Sequence, residues 1–438
     1  MPRPMPWRLY FSGMSRIVIT TWGSLGDLHP YLAIALELQR RGHEAVMATS
    51  PCYREKVESL GLDFYPVRPD GDWLLDSDKV RRLSHPRWGL LRVGRELVMP
   101  SMAEMYEDIL ASSQGANLLV SMQASYAARL VAEKTAIPWV TAAHIPFVFL
   151  SAYDPPVLDV APILSSKLRA LGPAFWRPLV WFGKRATRFI ARPWYRQRTR
   201  VGLPRATDGN PLFDSHSTLL VLALFSALLA DRQPDWPPQT IITGFPFYDQ
   251  DSQGALPSSV ARFLDDGPPP LVFTLGSAVC AHAGSFFQHS VKCASILNRR
   301  AVLIVGRDRH DSLRSLPDGM IAAEYAPYAE LFPRAAAIIH HGGVGTTGQG
   351  MRSGRPMLVV PYAWDQPENA QRVTRLGIAR TLFKGRYTPE RAATELRCLL
   401  DNPTYSERAS QVGDQIRQES GVQTACDALE NALRNRNR

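Results

Sequence analysis

The stretch from Ala335 to Asn369, AAAIIHHGGVGTTGQGMRSGRPMLVVPYAWDQPEN, constrains the fold more than any other part of the chain. It reads as an apolar strand, a glycine-rich turn, a helix and a second strand from Met357 to Val360. In the turn, His341, Gly342, Gly343, Gly345, Thr346 and Thr347 offer an imidazole, two hydroxyls and unobstructed backbone N–H groups where the helix begins. Unpaired amides and the helix dipole stabilise anions at such a point. A diphosphate cradle is therefore expected. Gly343, Gly345 and Gly348 also satisfy G-x-G-x-x-G, and Asp365 falls where a dinucleotide fold would put a ribose carboxylate. A dehydrogenase is thus one alternative.

The βα alternation repeats in two halves, which predicts parallel sheets with helices on both faces. Ile17 to Thr21 reads as a strand, Gly23 to Pro30 as a loop, and Leu32 to Gln39 as a helix ended by Arg40, Arg41 and Gly42. Strands Ala45 to Thr49, Leu118 to Ser121 and Thr218 to Leu224 follow, with a helix from about Ala124 to Thr135. Asp231 to Pro257 holds five prolines and two glycines and is the expected end of the first half. A second series opens with Leu271 to Leu275. Length agrees: 438 residues exceed one ordinary core, and 45% hydrophobic content supports two.

Five cysteines, Cys52, Cys280, Cys293, Cys398 and Cys426, are scattered without C-x-x-C spacing, which indicates neither a disulfide framework nor a zinc site. A cytoplasmic location is the expectation. No apolar run reaches the ~20 residues that span a bilayer, and MPRPMPWRLYFSGM lacks the apolar core of a signal peptide.

In the first half the chemistry sits in GSLGDLHP, Gly23 to Pro30. Asp27 and His29 would stand at the carboxyl end of a parallel strand, where open αβ sheets bind ligands. A reaction that activates a hydroxyl needs a general base, and Asp27 is the candidate. Its bland alternative is a cap on the helix beginning near Pro30. His29 is a second candidate base. His144, in TAAHIPF, reads either as an acceptor-side contact beside Gly26 or as a satisfied buried histidine.

Three further patches, Tyr325-Ala326-Pro327, His341-Gly342-Gly343 and Asp365-Gln366, make the chain resemble the family 1 nucleotide-sugar glycosyltransferases with the GT-B fold. HHGGVGTT and GSLGDLHP make it most similar to the bacterial branch near lipid rhamnosyltransferases, together with sterol glucosyltransferases and antibiotic glycosyltransferases. The resemblance implies two Rossmann-like domains with parallel sheets facing a central cleft. It implies an extension over 1–13, an acceptor-binding domain over 14–245, a linker over 246–258 and a nucleotide-sugar domain over 259–404. A helical segment over 405–438 would cross back to the first domain.

The same resemblance implies inverting displacement of a hexose from a UDP- or dTDP-sugar onto a hydroxyl of a hydrophobic acceptor. Gly276 and Ser277 would contact the donor phosphates with His341, Gly343, Gly345, Thr346 and Thr347. Tyr325 would stack on the base beside Ala326, Gln349 would reach the ribose, and Asp365 and Gln366 would face the sugar, with Trp364 either touching the sugar or packing. His340 should point away from His341, so no metal site is expected, and no cofactor beyond the nucleotide co-substrate. The family's usual histidine falls at Asp27, and its aspartate partner falls in Ser121-Met122-Gln123. A histidine–aspartate dyad is therefore expected to be absent, with the carboxylate acting directly.

Between Val160 and Thr207 there is no Asp or Glu, whereas eleven Lys and Arg interleave with seven aromatic residues. That pattern suits peripheral contact with an anionic membrane at the inner face, or else a solvated flap over the acceptor cleft. No nucleic-acid motif accompanies it. Two alternative functions share the donor logic: a nucleotide-sugar epimerase of the same architecture, and a non-catalytic nucleotide-sugar-binding protein.

Overall fold

A computed structural model describes residues 13–436, apart from 75, 86–87, 158–161, 208, 250–255, 281–282 and 307–314. Most of the expected extension and the centre of the expected linker lie outside the described residues, as does the Ser277 side chain.

The first sheet contains β1 (Arg16–Thr20), β2 (Glu44–Thr49), β3 (Asp63–Pro66), β4 (Leu118–Met122), β5 (Trp139–Ala143), β6 (Leu220–Ala223) and β7 (Thr240–Ile242). Its order is β3-β2-β1-β4-β5-β6-β7, every pairing parallel. β8 (Leu271–Thr274), β9 (Ala301–Ile304), β10 (Met320–Ala323), β11 (Ala337–His340), β12 (Met357–Val359) and β13 (Ala379–Thr381) form the second. Its order is β10-β9-β8-β11-β12-β13, again all parallel. The α/β architecture is the one expected. Fully buried strands such as Ile17-Val18-Ile19 and Ile338-Ile339 explain why these segments read as continuous apolar runs.

Strand order reverses between β1 and β4 in one sheet and between β8 and β11 in the other. Crevices at such switch points collect ligands at the carboxyl ends of the strands. The two halves meet there.

One helix differs from its sequence reading. Helix α1 covers Leu25–Arg40 and contains Pro30, so it starts seven residues before the expected Leu32. A capping box between Ser24 and Asp27 begins the helix upstream, and α1 carries Pro30 at its sixth position, where the ring removes one hydrogen bond to the preceding turn. Helix α2 spans Gly172–Ala186, α3 Val344–Ser353, α4 Gln366–Arg375, α5 Pro403–Gln418 and α6 Gly421–Arg436. α5 packs on α3 beside the second sheet, whereas α6 packs on α1 beside the first and buries Cys426 and Leu429 there. The return crossing therefore falls between α5 and α6, next to the outward one. A Cβ added to Gly421 would lie 2.4 Å from the Phe245 carbonyl oxygen.

Candidate active site

A cleft of about 1150 Å³ separates the two sheets and is lined by residues of both. On the second sheet, the turn after β11 sends His341 into it. The His341 ring lies between Gly276, at the end of β8, and Gly343. A Cβ at Gly276 would stand 2.6 Å from His341 Cε1, and one at Gly343 would stand 2.5 Å from Nε2. Gly276 also has a φ of +65°, a left-handed conformation that side chains disfavour. The two glycines thus have a steric reason that no loop rule supplies. Burial pushes His341 down to about 3, so the imidazole is neutral near pH 7, and its Nδ1 has no hydrogen-bond partner among the described residues.

Gly343 is the N-cap of α3, and the first helical bond runs from Thr347 N to the Gly343 oxygen at 2.9 Å. The amides of Val344, Gly345 and Thr346 precede that bond and face the cleft end of the helix. Thr347 is a correction: its amide is used, its side chain is fully buried, and it is absent from the cleft wall. His340 turns inward, accepting from Gly342 N through Nδ1 at 3.1 Å.

Tyr325 is 55% exposed on the cleft wall, whereas the Ala326 side chain is fully buried and leaves only its backbone to a ligand. Gln349 lines the cleft, with a buried Oε1 that has no partner among the described residues. Trp364 adopts a φ of +59° and donates its indole N–H to the Leu83 carbonyl across the domains at 3.1 Å. Gln366 Oε1 accepts from Tyr362 N at 2.8 Å and Ala363 N at 3.0 Å. Its carbonyl therefore pins the turn, and only its amide group is left for a ligand. Asp365 accepts from Asn369 Nδ2 at 2.6 Å. Burial, with some repulsion from Asp27, pushes its carboxyl up to about 6.

On the first sheet, Asp27 occupies the third position of α1. Its Oδ2 accepts from Ser24 N and Ser24 Oγ, both at 2.8 Å. The capping role and the exposed role coexist, because Oδ1 lies 2.9 Å from His144 Nε2. An Asp–His pair is present after all, with the aspartate on the loop-side helix and the histidine at the end of β5. It is not the family's dyad, whose histidine would stand at position 27 and whose aspartate would fall in Ser121-Met122-Gln123, but a pair of the opposite order. The Asp27 side chain is 28% exposed and that of His144 is 2% exposed, so the carboxylate is the member that a ligand meets. His144 is accordingly a partner of Asp27 from behind. Burial raises the Asp27 carboxyl, but the His144 hydrogen bond and charge and the Ser24 donors outweigh it, and the net shift is downward. Tyr31 backs the pair: its hydroxyl donates to the Ala142 oxygen at 2.9 Å and lies 3.3 Å from His144 Nδ1.

Gly23 repeats the steric logic of the other side. Its φ is +119°, and a Cβ there would sit 2.6 Å from Asp27 Oδ2. Gly26 is different, since its nearest contact would be an ordinary 3.5 Å. His29 lines the cleft and stacks on Tyr248 at 4.9 Å between ring centroids.

Sequence reasoning missed Tyr31, Tyr248 and the pair formed by Glu368 and Arg372 on α4. Arg372 bonds Glu368 and reaches Asp154 Oδ2 at 2.6 Å, while Glu368 Oε2 accepts from Val157 N at 3.1 Å. This buried cluster ties α4 to the first half of the chain. The i, i+4 spacing of Glu368 and Arg372 was the available signal. The G-x-G-x-x-G follows β11, the fourth strand of its half, whereas a dinucleotide fingerprint occupies the first βα turn.

Comparison with known proteins agrees with this geometry. Residues 17–153 match the glycosyltransferase family 28 N-terminal domain, and residues 292–429 match the erythromycin biosynthesis protein CIII-like C-terminal domain. The chain is 29% identical over 428 residues to the O-mycaminosyltylonolide 6-deoxyallosyltransferase of Streptomyces fradiae, covering 95% of this chain and 97% of that one. It is 25% identical over 429 residues to a sterol 3-beta-glucosyltransferase of Arabidopsis thaliana, covering 94% of this chain and 65% of the relative. Among solved structures, the glycotransferase of kitacinnamycin superposes with a TM-score of 0.72 at 22% identity, over 96% of this chain and all of the other. The glycosyltransferase VinC in complex with DTDP gives 0.67 at 20% identity, over 96% and 100%. With two parallel sheets facing one cleft, a glycosyltransferase domain matched in the first half, a CIII-like domain matched in the second and glycosyltransferase relatives along nearly the whole chain, the chain belongs to the family 1 glycosyltransferases of the GT-B fold.

Proposed function

We propose that this glycosyltransferase moves a hexose from a UDP- or dTDP-sugar to a hydroxyl of a hydrophobic small molecule or lipid, with inversion at the anomeric carbon. The observation that carries the reading is the pairing, across one cleft, of an ionised Asp27 with a neutral His341 beside the open amides of α3. Asp27 takes the acceptor proton as the acceptor oxygen bonds to the anomeric carbon. The bond from that carbon to the diphosphate oxygen breaks, and its electron pair leaves with the diphosphate. His341 and the amides of Val344, Gly345 and Thr346 receive the growing charge as hydrogen-bond donors, where preorganised dipoles act most strongly. No step is routed through a metal.

His144 holds Asp27 in place and keeps it ionised, at the expense of some basicity. Tyr325 supplies a face for the nucleobase, Gln349 a group for the ribose, and Asp365 with the Gln366 amide the contacts to sugar hydroxyls. The dTDP of the VinC structure and the sugar and sterol names of the relatives support both a nucleotide donor and an apolar acceptor. Apolar residues of the first half, among them Leu91, Val98, Ile190 and Phe213, line the acceptor side.

The test is release of nucleoside diphosphate from UDP-glucose and dTDP-rhamnose, with and without a panel of hydroxylated apolar acceptors, by wild type and Asp27→Asn. Acceptor-dependent release that falls by about 10²–10⁴ in the variant, with nucleotide binding retained, is the expected result. Release at the wild-type rate from Asp27→Asn removes Asp27 as base. Tight nucleotide binding without release for any acceptor favours a binding protein.

A further inference from the structure

The helical insertion between β5 and β6 has two faces with different surroundings. Its inner face closes the cleft: Thr187 and Ile190 line the wall, and Trp176 is buried with its indole N–H donating to the Leu168 oxygen at 3.0 Å. On the outer face Leu171, Phe175, Leu179 and Phe182 recur at i, i+4, i+8 and i+11 along and just before α2, and all four are exposed. Trp181 and Phe182 are each 64% exposed, and Phe189 beyond the helix is 55% exposed. Isolated exposed apolar residues are ordinary, but a helical stripe of them is not.

The charge around this stripe has one sign. Of the eleven cations between 160 and 207, Arg169, Lys184 and Arg198 form ion pairs with Asp154, Asp214 and Glu133. The other eight, Lys167, Arg177 and six arginines from Arg185 to Arg205, are exposed, with no acid inside the segment. Arg185 stands over the Trp181 ring at 5.9 Å. A surface that offers aromatic rings flanked by arginines is complementary to a layer of anionic headgroups over acyl chains. Among the described residues no helix is long and apolar enough to cross a membrane, so the contact would be one of lying on a surface.

We infer that the outer face of α2 and the turn to Phe189 docks on an anionic lipid bilayer, and that the cleft wall formed by the same insertion opens toward that surface. The inference deepens the proposed transferase reading by naming its acceptor class: a hydroxylated amphiphile that partitions into the bilayer. Trp181, Phe182 and Phe189 enter the headgroup boundary, and Arg185, Arg188 and Arg192 meet lipid phosphates.

Co-sedimentation with vesicles of phosphatidylcholine, with and without phosphatidylglycerol, tests it independently of turnover. Binding is expected only to vesicles that contain phosphatidylglycerol, and it should weaken roughly fivefold for each arginine replaced in Arg185→Gln and Arg192→Gln. The double variant Trp181→Ser, Phe182→Ser should lose at least about tenfold. Unchanged UDP or dTDP binding by these variants shows that they are folded. Equal binding to neutral vesicles, or none to either, overturns the inference. So does self-association, or capture of a second protein, that the double variant abolishes while vesicle binding stays absent. If vesicles bind but acceptor-dependent release fails, docking stands and the transferase reading is what fails.

Discussion

The lip of the cleft built on the second sheet and the lip built on the first use the same local device, yet differ in what surrounds it. On one, Gly276 and Gly343 leave the space that His341 fills; on the other, Gly23 leaves the space that Asp27 fills. Around His341 the remaining groups are backbone amides of one turn and the first residues of one helix, all within a few positions of each other. Around Asp27 they come from afar: His144 is 117 residues away, and the apolar wall is drawn from the insertions around residues 90, 190 and 213. Diphosphate chemistry is the same for many substrates and can be met by a short fixed segment. An apolar acceptor is met by side chains that any long insertion can supply.

Paired glycine substitutions break this comparison most sharply. Gly343→Ala forces a Cβ to 2.5 Å from the His341 ring, and kcat/KM should fall by about 10²–10³; Gly345→Ala meets no protein atom within 4 Å and should leave the His341 ring and the melting temperature undisturbed. On the other lip Gly23→Ala is strained by its φ and displaces Asp27, so kcat should fall with nucleotide affinity retained. Gly26→Ala, inside α1, should leave kcat unchanged and stabilise by roughly 0.5–1 kcal/mol. Steady-state kinetics and thermal melting of the four variants separate a steric requirement from a general sensitivity of glycine turns.

Smaller effects sharpen the electrostatic contrast. Asp365 has its carboxyl raised from 3.8 to about 6. The native state therefore binds more protons than the unfolded one between those values, and stability falls as pH rises through that window. Asp365→Asn should flatten the slope of melting temperature from about pH 4 to 6 and melt higher than wild type above it. Asp27 has the opposite sign: its lowered carboxyl supports the fold above 3.8 and loses that contribution as pH falls through its native value. The smallest effect belongs to the apolar wall. Ile190→Ala should raise the acceptor KM by about tenfold and leave nucleotide affinity alone, as initial rates and nucleotide titrations would show.

What could be read from the sequence follows the same division. The parallel sheets, the two glycine-rich turns and the prominence of His341 and Asp27 were legible, because each depends on residues close together in the chain. His144 beside Asp27 was not, since their contact requires β4 to lie between β1 and β5, an order that only the folded sheet supplies. The start of α1 was hidden by Pro30, which looks like a loop residue until Ser24 and Asp27 are seen to cap the helix. Thr347 carries a hydroxyl in the right motif, but the helix turns it inward, one position past Thr346 on the cleft wall. Trp364 and Gln366 were legible as part of a turn, although the indole N–H ties that turn to Leu83 in the first half of the chain and the amide carbonyl pins the turn itself.

The most direct measurement is calorimetric titration of UDP and dTDP into wild type, His341→Ala and Asp27→Asn. Loss of affinity by about tenfold or more in His341→Ala, with Asp27→Asn binding as tightly as wild type, is the predicted result: the diphosphate sits at the second lip and the base at the first. Undiminished binding by His341→Ala, or binding lost in Asp27→Asn while His341→Ala retains it, would contradict that division.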